Sequence, residues 1–563
     1  MAMNRIYIPA AAALCLFVCV CNHSAAQTGD CHGTGPDTSP EETTDRILGS
    51  DDFRGTSVSI LAMTGAGDTL LCRDCDRLLI PASNMKLVTT ALALHSLGPD
   101  YRYETRLGYS GRIEDGTLLG DLYIIGGGDP TLGSDNGIAI PLDTLFREWE
   151  AIVRQAGIRR IQGHVVGDGR FFSGMDEHPT WELCDAGTYY GTGASGLSFH
   201  ENTIDMTVSA GEHPGAPVNI RQEYPETPWM TFIYSCRTGK PGTGNTMYFY
   251  PDDFSPAGEM RGTYAMDRRP GTESVANKFP EYTLAWYFCR YLSERGIESG
   301  KGPADINPVL AGAYGSATRP DNGCRPGNGG TGKPEIGGGF PNDVERRGYT
   351  GDTAGDAIIH LHGVPDDSLT VIGSTLSPAL TRIAEVTCKE SNNLYAETLM
   401  KTLGKEYCGS GCYDSAYVAI SGLLDEIGAG SRRILIKDGS GLSRENLLSA
   451  EFLCGFLEKM MSSPSFGEFF DSLPFPGGSG TLEFNMRSVP EAIRTRIRMK
   501  SGSMGGVRCF SGYIVPETGT KDETVIFSIL VNGYTVPLSR IQKGIDNIIL
   551  SLTGWETTEI HKP

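Results

Sequence analysis

The first regular hydrophobic pattern in the chain predicts two strands and a helix. Residues 56–63 alternate like a strand with one buried face. Residues 65–68, which contain two glycines and an aspartate, form a turn, and residues 69–71 begin the returning strand. The run from Ser83 to Leu97 is helix-like, and a Gly-Pro pair ends it at 98–99.

The C-terminal pattern fits the same sheet. Residues 508–515 and 524–531 are typical strands, joined by the polar turn 516–523. After Pro537 the apolar residues Leu538, Ile541, Ile545 and Ile548 recur on one helical face, so the final helix is expected to cover the back of a sheet. The pattern therefore predicts one sheet built from both ends of the chain.

A long middle region separates these two ends. Residues 102–365 contain many short β-like stretches between Gly- and Pro-rich loops, of which 323–340 is nearly low-complexity. The strongest of these stretches are 118–125, 161–166, 203–208 and 356–361. We therefore expect a discontinuous domain formed by 45–101 and 366–555, interrupted by one or two β-rich domains at 102–365.

Composition supports a mixed α/β protein with many loops. The chain of 563 residues has 73 glycines and 32 prolines, too many turn-forming residues for a helical bundle. Its formal charge of −20, without a basic stripe, argues against nucleic acid as a partner.

The N-terminus predicts export. Arg5, the apolar stretch 10–20 and the small residues 24–26 have the order of a cleavable signal peptide spanning 1–26. The expected location is the periplasm. An uncleaved anchor, or a lipid on Cys19 or Cys21, remains an alternative that would hold the protein at the membrane periphery.

Cysteine usage agrees with export. Three of the 15 cysteines fall in the leader, and the remaining even number permits disulfides. The closest pairs are Cys72 with Cys75 and Cys408 with Cys412. Two such pairs could in principle bind zinc, but their wide separation favours disulfides or buried thiols. We expect no metal and no cofactor.

The first candidate for chemistry is Ser83, because Lys86 follows it by three positions. On a helix both side chains lie on one face, so an uncharged Lys86 amine could take the proton of Ser83 and make its oxygen a nucleophile. The first turn of a helix also directs backbone N–H groups towards the serine. The spacing alone is weak evidence, since short patterns arise by chance.

Two later motifs strengthen this candidate. Ser391 and Asn393 place a hydroxyl and a carboxamide two residues apart at a predicted helix start, and Lys500, Ser501 and Gly502 precede a β-hairpin. The ordered set Ser-x-x-Lys, Ser-x-Asn and Lys-Ser-Gly is that of penicillin-binding proteins and class A β-lactamases.

The chain resembles the D-alanyl-D-alanine carboxypeptidase/endopeptidase family, the low-molecular-mass class C penicillin-binding proteins. Besides the three motifs, the runs at 81–86, 120–131, 438–444 and 505–507 are similar to those of that family. The resemblance implies an α/β fold: a penicillin-binding-protein/β-lactamase-like transpeptidase domain, with an antiparallel sheet flanked by helices and with inserted β-rich domains. Ser391 lies more than 300 residues after Ser83, a separation that matches large insertions.

The resemblance also implies roles for the motif residues. Ser83 would be the acylated nucleophile, Lys86 its general base and Ser391 the proton relay to the leaving group. Asn393 would hold the substrate amide, and Lys500 and Ser501 its terminal carboxylate.

Further residues are implied around the cleft. Gly502 would leave room for close backbone approach, and the N–H groups of Ser83 and Ser503 would form the oxyanion hole. Ser440 and Asn446 would border the cleft. Asp168 is similar to a family acid that faces the substrate's diamino acid, although Arg170 replaces the serine usual two residues later.

The function predicted from these motifs is a serine-type D-Ala-D-Ala carboxypeptidase, a D,D-endopeptidase, or both. Its partners would be peptidoglycan peptides, with β-lactam antibiotics as covalent inhibitors. The alternatives are a β-lactamase, which the long insertion and the missing Glu base loop disfavour, and an inactive wall-binding scaffold, which the complete motif set disfavours.

Overall fold

The computed structural model describes residues 39–252, 255–307, 358, 361 and 368–555. The predicted signal peptide 1–26, the loop 323–340 and most of the predicted β stretch 356–361 lie outside these residues. Within the described ranges, every helix is too short or too polar to cross a bilayer.

The described α-helices are numbered in chain order. They are α1 Pro40–Leu48, α2 Met85–Leu97, α3 Leu142–Gln155, α4 Pro280–Glu294, α5 Leu380–Lys389, α6 Asn393–Cys408, α7 Tyr413–Glu426, α8 Ala450–Met460, α9 Phe466–Ser472, α10 Glu491–Arg494 and α11 Leu538–Ser551.

The described strands are numbered in the same way. They are β1 Ser57–Thr64, β2 Thr69–Arg73, β3 Glu104–Tyr109, β4 Arg112–Glu114, β5 Thr117–Leu119, β6 Leu122–Ile125, β7 Arg160–Ile161, β8 Val165–Asp168, β9 Thr203–Ser209, β10 Asn219–Tyr224, β11 Thr231–Tyr234, β12 Arg237–Gly239, β13 Tyr248–Pro251, β14 Ala257–Arg261, β15 Thr263–Ala265, β16 Gly271–Ala276, β17 Pro303–Ile306, β18 Thr370–Leu376, β19 Ile497–Met504, β20 Val507–Ile514 and β21 Val525–Asn532.

The two ends of the chain form one antiparallel sheet, in the order β19-β20-β21-β1-β2. This confirms the prediction that the first and last segments share a sheet. The predicted final helix is α11, and its residues Ile541, Ile545 and Ile548 are buried against one face of the sheet. The helices α2 and α5 to α9 pack against the other face. Each face of the sheet is thus covered by helices.

The inserted region has its own five-stranded sheet, in the order β17-β8-β6-β3-β18. Its strands β17, β8 and β6 are parallel, whereas β3 pairs antiparallel with both β6 and β18. Helices α3 and α4 bury aromatic residues against this sheet, among them Trp149 and Phe288. The described residues of the region also form four smaller sheets.

Strand β18 differs from the predicted domain division. It follows residue 366 and so falls in the segment assigned to the discontinuous domain, yet it pairs with β3 of the inserted sheet. The polypeptide returns to the first sheet's helices only at α5. A pattern of alternating residues cannot reveal this, because it shows that a strand forms but not which distant strand it pairs with.

The inserted region packs on the helices that carry the motifs. Lys401 of α6 is fully buried, and its Nζ donates to the carbonyl oxygens of Met175 and Ala194 at 2.8 Å each. Trp181 Nε1 donates to Asp438 Oδ2 at 2.8 Å. The insertion therefore forms one wall beside the motif residues.

The cysteines of the two closest pairs differ in state. Cys72 and Cys75 form a disulfide at the end of β2. The Cys412 thiol instead lies in hydrogen-bonding contact with Ser410 and Ser415 at the start of α7.

Candidate active site

Ser83 lies in a tight turn that leads directly into α2. Residues Ala82–Asn84 form a short 3-10 helix, and Ala82 has a φ of 46°, an uncommon conformation for a residue with a side chain. The predicted helix thus begins its α-helical part at Met85, two residues later than expected. This geometry exposes part of Ser83, while Lys86 is completely buried.

The predicted serine–lysine pair is in contact. Lys86 Nζ lies 3.0 Å from Ser83 Oγ, 2.6 Å from Asn393 Oδ1 and 2.9 Å from the carbonyl oxygen of Ser440. The two carbonyl-type oxygens can accept hydrogen bonds only, so they orient the amine. When Lys86 is neutral, its lone pair can be directed at the hydroxyl of Ser83.

Burial of Lys86 favours the neutral amine. It lowers the pKa of Lys86 to about 8, while the negative charges of Glu397 and Asp438 oppose this shift. With a pKa of about 8, roughly a tenth of Lys86 is uncharged at pH 7, and this fraction is the form that a general base requires.

Glu397 is a buried acid at this site that the motifs did not indicate. Its two carboxylate oxygens accept hydrogen bonds from the backbone N–H groups of Gly439, at 3.1 Å, and Ser440, at 2.7 Å. Burial, and next the charge of Asp438, raise the pKa of Glu397 to about 7. The spacing of Asn393 and Glu397, four residues apart on one helix, was the available sequence signal.

The Asp438 loop supports the lysine through its backbone. Asp438 accepts hydrogen bonds from the N–H groups of Gly441 and Ser443 and from the side chains of Asn446 and Trp181. Ser440, predicted to border the cleft, contributes its carbonyl oxygen to Lys86. Asn446 is buried and does not line the cleft: its Oδ1 accepts from Lys437 N and its Nδ2 donates to the carbonyl oxygen of Ser443, within the same loop.

The second and third motifs meet at Ser391 and Lys500. Lys500 Nζ donates to Ser391 Oγ at 2.9 Å and to the carbonyl oxygen of Ser501 at 2.7 Å. Lys500 is fully buried; desolvation, and next the charge of Lys86, hold its pKa well below the usual value. Ser391 has a φ of 60°, so the loop that presents its hydroxyl is strained.

Strand β19 lies close to the Ser83 turn at Gly502. A Cβ added there would lie 2.6 Å from Pro81 O and 3.1 Å from Ser83 N, which leaves no room for a side chain. The following residue, Ser503, is exposed. The structure thus brings the edge strand beside the predicted nucleophile.

The inserted region touches Asn393. Its Nδ2 donates to the carbonyl oxygen of Tyr190 at 2.8 Å, while its Oδ1 accepts from Lys86. A substrate carbonyl held by Asn393 would share or replace the contact with Tyr190. Sequence spacing gave no sign of this contact, which joins residues more than 200 positions apart.

Asp168 is placed differently from the three motifs. It ends strand β8 of the inserted sheet, is 2% exposed, and its carboxylate binds the Arg170 guanidinium at 2.9 and 2.6 Å. Arg170, which stands where the family usually has a serine, thus forms an ion pair with the acid that was predicted to face the substrate.

Among the described residues, one group has the ligand types of a metal site. The ligand atoms of Glu182, Cys184 and Asp185 lie within 4.8 Å of one another. Glu182 pairs with Arg444 at 3.0 Å, and Tyr190 donates to Asp185 at 3.2 Å. These protein partners account for the arrangement, and we assign no metal to it.

Comparison with known proteins identifies the family. The family model of the D-Ala-D-Ala carboxypeptidase 3 (S13) family matches residues 42–297 and 348–552. The chain belongs to this family. The D-alanyl-D-alanine carboxypeptidase of Actinomadura sp. (strain R39) is 28% identical over 517 residues, covering 89% of this chain and 82% of the relative.

Solved structures show the same fold. Penicillin binding protein 4 (dacB) from Haemophilus influenzae superposes with a TM-score of 0.71 at 19% identity, covering 91% of this chain and 99% of that one. Its complex with a novel β-lactam superposes with a TM-score of 0.65 at 18% identity and covers the same shares. The predicted fold class, a penicillin-binding-protein-like domain with insertions, is confirmed, and S13 membership supports a hydrolase acting on peptidoglycan.

Proposed function

We propose that this S13 protein is an exported serine-type D-Ala-D-Ala carboxypeptidase, D,D-endopeptidase, or both, which acts on peptidoglycan stem peptides through an acyl-enzyme on Ser83. The observation that carries the proposal is the 3.0 Å contact between Ser83 Oγ and the fully buried Lys86 Nζ. A hydroxyl becomes a nucleophile when a neutral base lies within hydrogen-bonding distance.

Acylation would proceed as follows. Neutral Lys86 takes the proton of Ser83 while Oγ attacks the carbonyl carbon of the penultimate D-alanine. The carbon–nitrogen bond breaks, and the proton that Lys86 took from Ser83 passes to the leaving amine through Ser391, whose Oγ contacts Lys500. Lys86 is then neutral again. Water attacks the ester carbonyl, Lys86 accepts its proton, and this proton passes to Ser83 Oγ as the ester bond breaks.

The two lysines divide the positive charge between them. Without substrate, Glu397 and Asp438 favour a proton on Lys86, whereas burial and the nearby charge of Lys86 lower the pKa of Lys500. A substrate carboxylate beside Lys500 and Ser501 would raise the pKa of Lys500. The resulting charge on Lys500 would lower the pKa of Lys86, so substrate binding would favour the neutral base.

The developing oxyanion needs preorganised donors. We assign this role to the N–H groups of Ser83 and Ser503, because β19 passes against the Ser83 turn at Gly502. The strand β19 lies at the edge of its sheet, so an extended peptide could pair with it as a further strand.

Penicillin binding follows from the same chemistry. A β-lactam offers an acyl carbon and a carboxylate to Ser83 and Lys500, and the solved relative from H. influenzae was determined with a β-lactam. A β-lactamase would need rapid hydrolysis of that ester, whereas an inactive scaffold would form none. Export to the periplasm, by the predicted signal peptide, would bring the enzyme to its substrate; attachment at the membrane periphery is a further part of the proposal.

Defined muropeptides test the reaction and its specificity. The purified protein is incubated with a monomeric pentapeptide and with a D,D-cross-linked dimer, and the products are analysed by mass spectrometry. Loss of one alanine from the monomer identifies carboxypeptidase action, and conversion of dimer to monomers identifies endopeptidase action. Ser83→Ala is the control. Failure of the wild type on both substrates, or equal turnover by Ser83→Ala, would contradict the proposal.

A further inference from the structure

The inserted region contains a strained turn directly beside the second motif. Three consecutive residues, His200, Glu201 and Asn202, have φ values of 49°, 52° and 55°, which residues with side chains rarely adopt in succession. Hydrogen bonds hold both sides of the turn: His200 contacts Asp205, and Asn202 bonds to the backbone of Phe199 and Gly193. Backbone strain of this kind persists only where surrounding contacts maintain it.

Glu201 lies in this turn, and its side chain accepts four hydrogen bonds from other segments. Its Oε1 accepts from Ser134 Oγ at 2.7 Å, Asn136 Nδ2 at 2.8 Å and Tyr395 OH at 3.2 Å. Its Oε2 accepts from Asn392 Nδ2 at 2.9 Å. Two of these donors belong to the inserted region, and the other two, Asn392 and Tyr395, belong to the second motif and the start of α6.

Asn392 stands between the two motif residues Ser391 and Asn393. Its Oδ1 accepts a hydrogen bond from Tyr395 N at 3.1 Å and so caps α6. This cap fixes the orientation of the amide, because a flipped Asn392 would direct its NH2 group at the Tyr395 N–H. Asn392 Nδ2 must therefore point at Glu201, and a charge-assisted bond holds it there.

We propose that Glu201 is a positioning residue, through which the inserted region holds the Ser391–Asn393 loop in its reactive conformation. Among the described residues, the side-chain partners of Glu201 are Ser134, Asn136, Asn392 and Tyr395. Glu201 therefore acts on Ser391 and Asn393 through Asn392. Its effect on catalysis rests on the function proposed above, whereas its effect on the loop does not.

Glu201→Gln tests this proposal at a single atom. The glutamine Oε1 can still accept from Ser134, Asn136 and Tyr395, but its NH2 group replaces Oε2 and faces the NH2 group of Asn392. We expect the acylation rate constant at saturating fluorescent penicillin to fall by about 10- to 100-fold. The apparent dissociation constant for penicillin should change little, since Glu201 does not touch the ligand site.

Asn392→Asp provides the matched rescue. In the single variant two carboxylates oppose each other, and acylation should also be slow. In the double variant Glu201→Gln/Asn392→Asp, the glutamine NH2 donates to one aspartate oxygen while the other oxygen accepts from Tyr395 N. The double variant should acylate faster than either single variant, which a general loss of packing would not produce.

Two controls separate the possible outcomes. Glu212→Gln, an exposed change in the same insertion, should acylate at the wild-type rate. Hydrogen exchange of residues 389–396 reports the loop itself: it should be faster in Glu201→Gln and slower again in the double variant. The inference would be overturned if the acylation rate constant of Glu201→Gln stayed within twofold of the wild-type value. It would also be overturned if the double variant acylated no faster than the single variants. Absence of wild-type labelling would contradict the proposed function instead, and exchange unchanged by Glu201→Gln would then overturn the positioning role.

Discussion

At the scale of single residues, the site depends on which of two buried lysines carries a proton. Lys86 and Lys500 are both fully buried, but Glu397 and Asp438 favour charge on Lys86 alone. The three motifs were enough to predict the two lysines and the serines that they contact. They could not reveal Glu397, because its role depends on backbone N–H groups of a loop more than 40 residues away.

The lysine balance predicts a pH dependence of acylation. The pKa of Lys86, lowered by burial to about 8, means that acylation by penicillin should increase as the pH rises through about 8 and the amine loses its proton. Glu397→Gln removes a charge that raises this pKa, so the midpoint should move to lower pH. Stopped-flow acylation at different pH values measures both midpoints. The exposed change Glu483→Gln is the control, and an upward movement in Glu397→Gln would contradict the assignment.

At the scale of elements, the local sequence pattern predicted where strands and helices form better than it predicted which strands pair. The strands β1, β20 and β21 and the helix α11 were predicted nearly as they are, since alternating or helical periodicity is written in neighbouring residues. The pairing of β18 with the inserted sheet was not predicted, because register and partner are set by distant packing. The only sequence signal for the close contact between β19 and the Ser83 turn was the glycine at position 502.

Because β19 lies so close to the Ser83 turn, Gly502→Ala is expected to slow acylation and to destabilise the protein. The new Cβ would lie 2.6 Å from Pro81 O, so the strand or the Ser83 turn must shift. Acylation should slow by at least about tenfold, and the free energy of unfolding should fall by about 1–3 kcal/mol. Penicillin labelling and urea unfolding measure the two effects.

The matched glycine is Gly422, in the interior of α7. An added Cβ there meets no atom within 4 Å, so Gly422→Ala should leave acylation unchanged and raise the free energy of unfolding by about 0.5–1 kcal/mol. Normal acylation by Gly502→Ala would show that the two elements are not closely apposed.

At the scale of the whole molecule, the insertion is packed into the reactive domain. Asn393, Glu397 and Lys401 follow one another at helical spacing on α6 and contact, in turn, Tyr190, the Asp438 loop and the backbone of Met175 and Ala194. The sequence predicted that an insertion exists. The contacts of the insertion with Asn393 and Lys401 could not be predicted, because each joins residues more than 200 positions apart whose types have no distinctive spacing.

Lys401→Met tests how strongly the insertion is held. The change leaves the carbonyl oxygens of Met175 and Ala194 without their buried donor and removes the cation 3.9 Å from Asp176. The free energy of unfolding should fall by about 3–5 kcal/mol, measured by urea denaturation. The exposed change Lys459→Met should have an effect below about 0.5 kcal/mol. A similar small effect for Lys401→Met would mean that the insertion is held by other contacts.

Covalent catalysis by Ser83 can be tested by intact-protein mass spectrometry after incubation with penicillin. We expect a mass increase of one penicillin per chain, located by peptide mapping at Ser83 and absent from Ser83→Ala. A wild-type protein that gains no adduct, or an adduct that persists in Ser83→Ala, would contradict it.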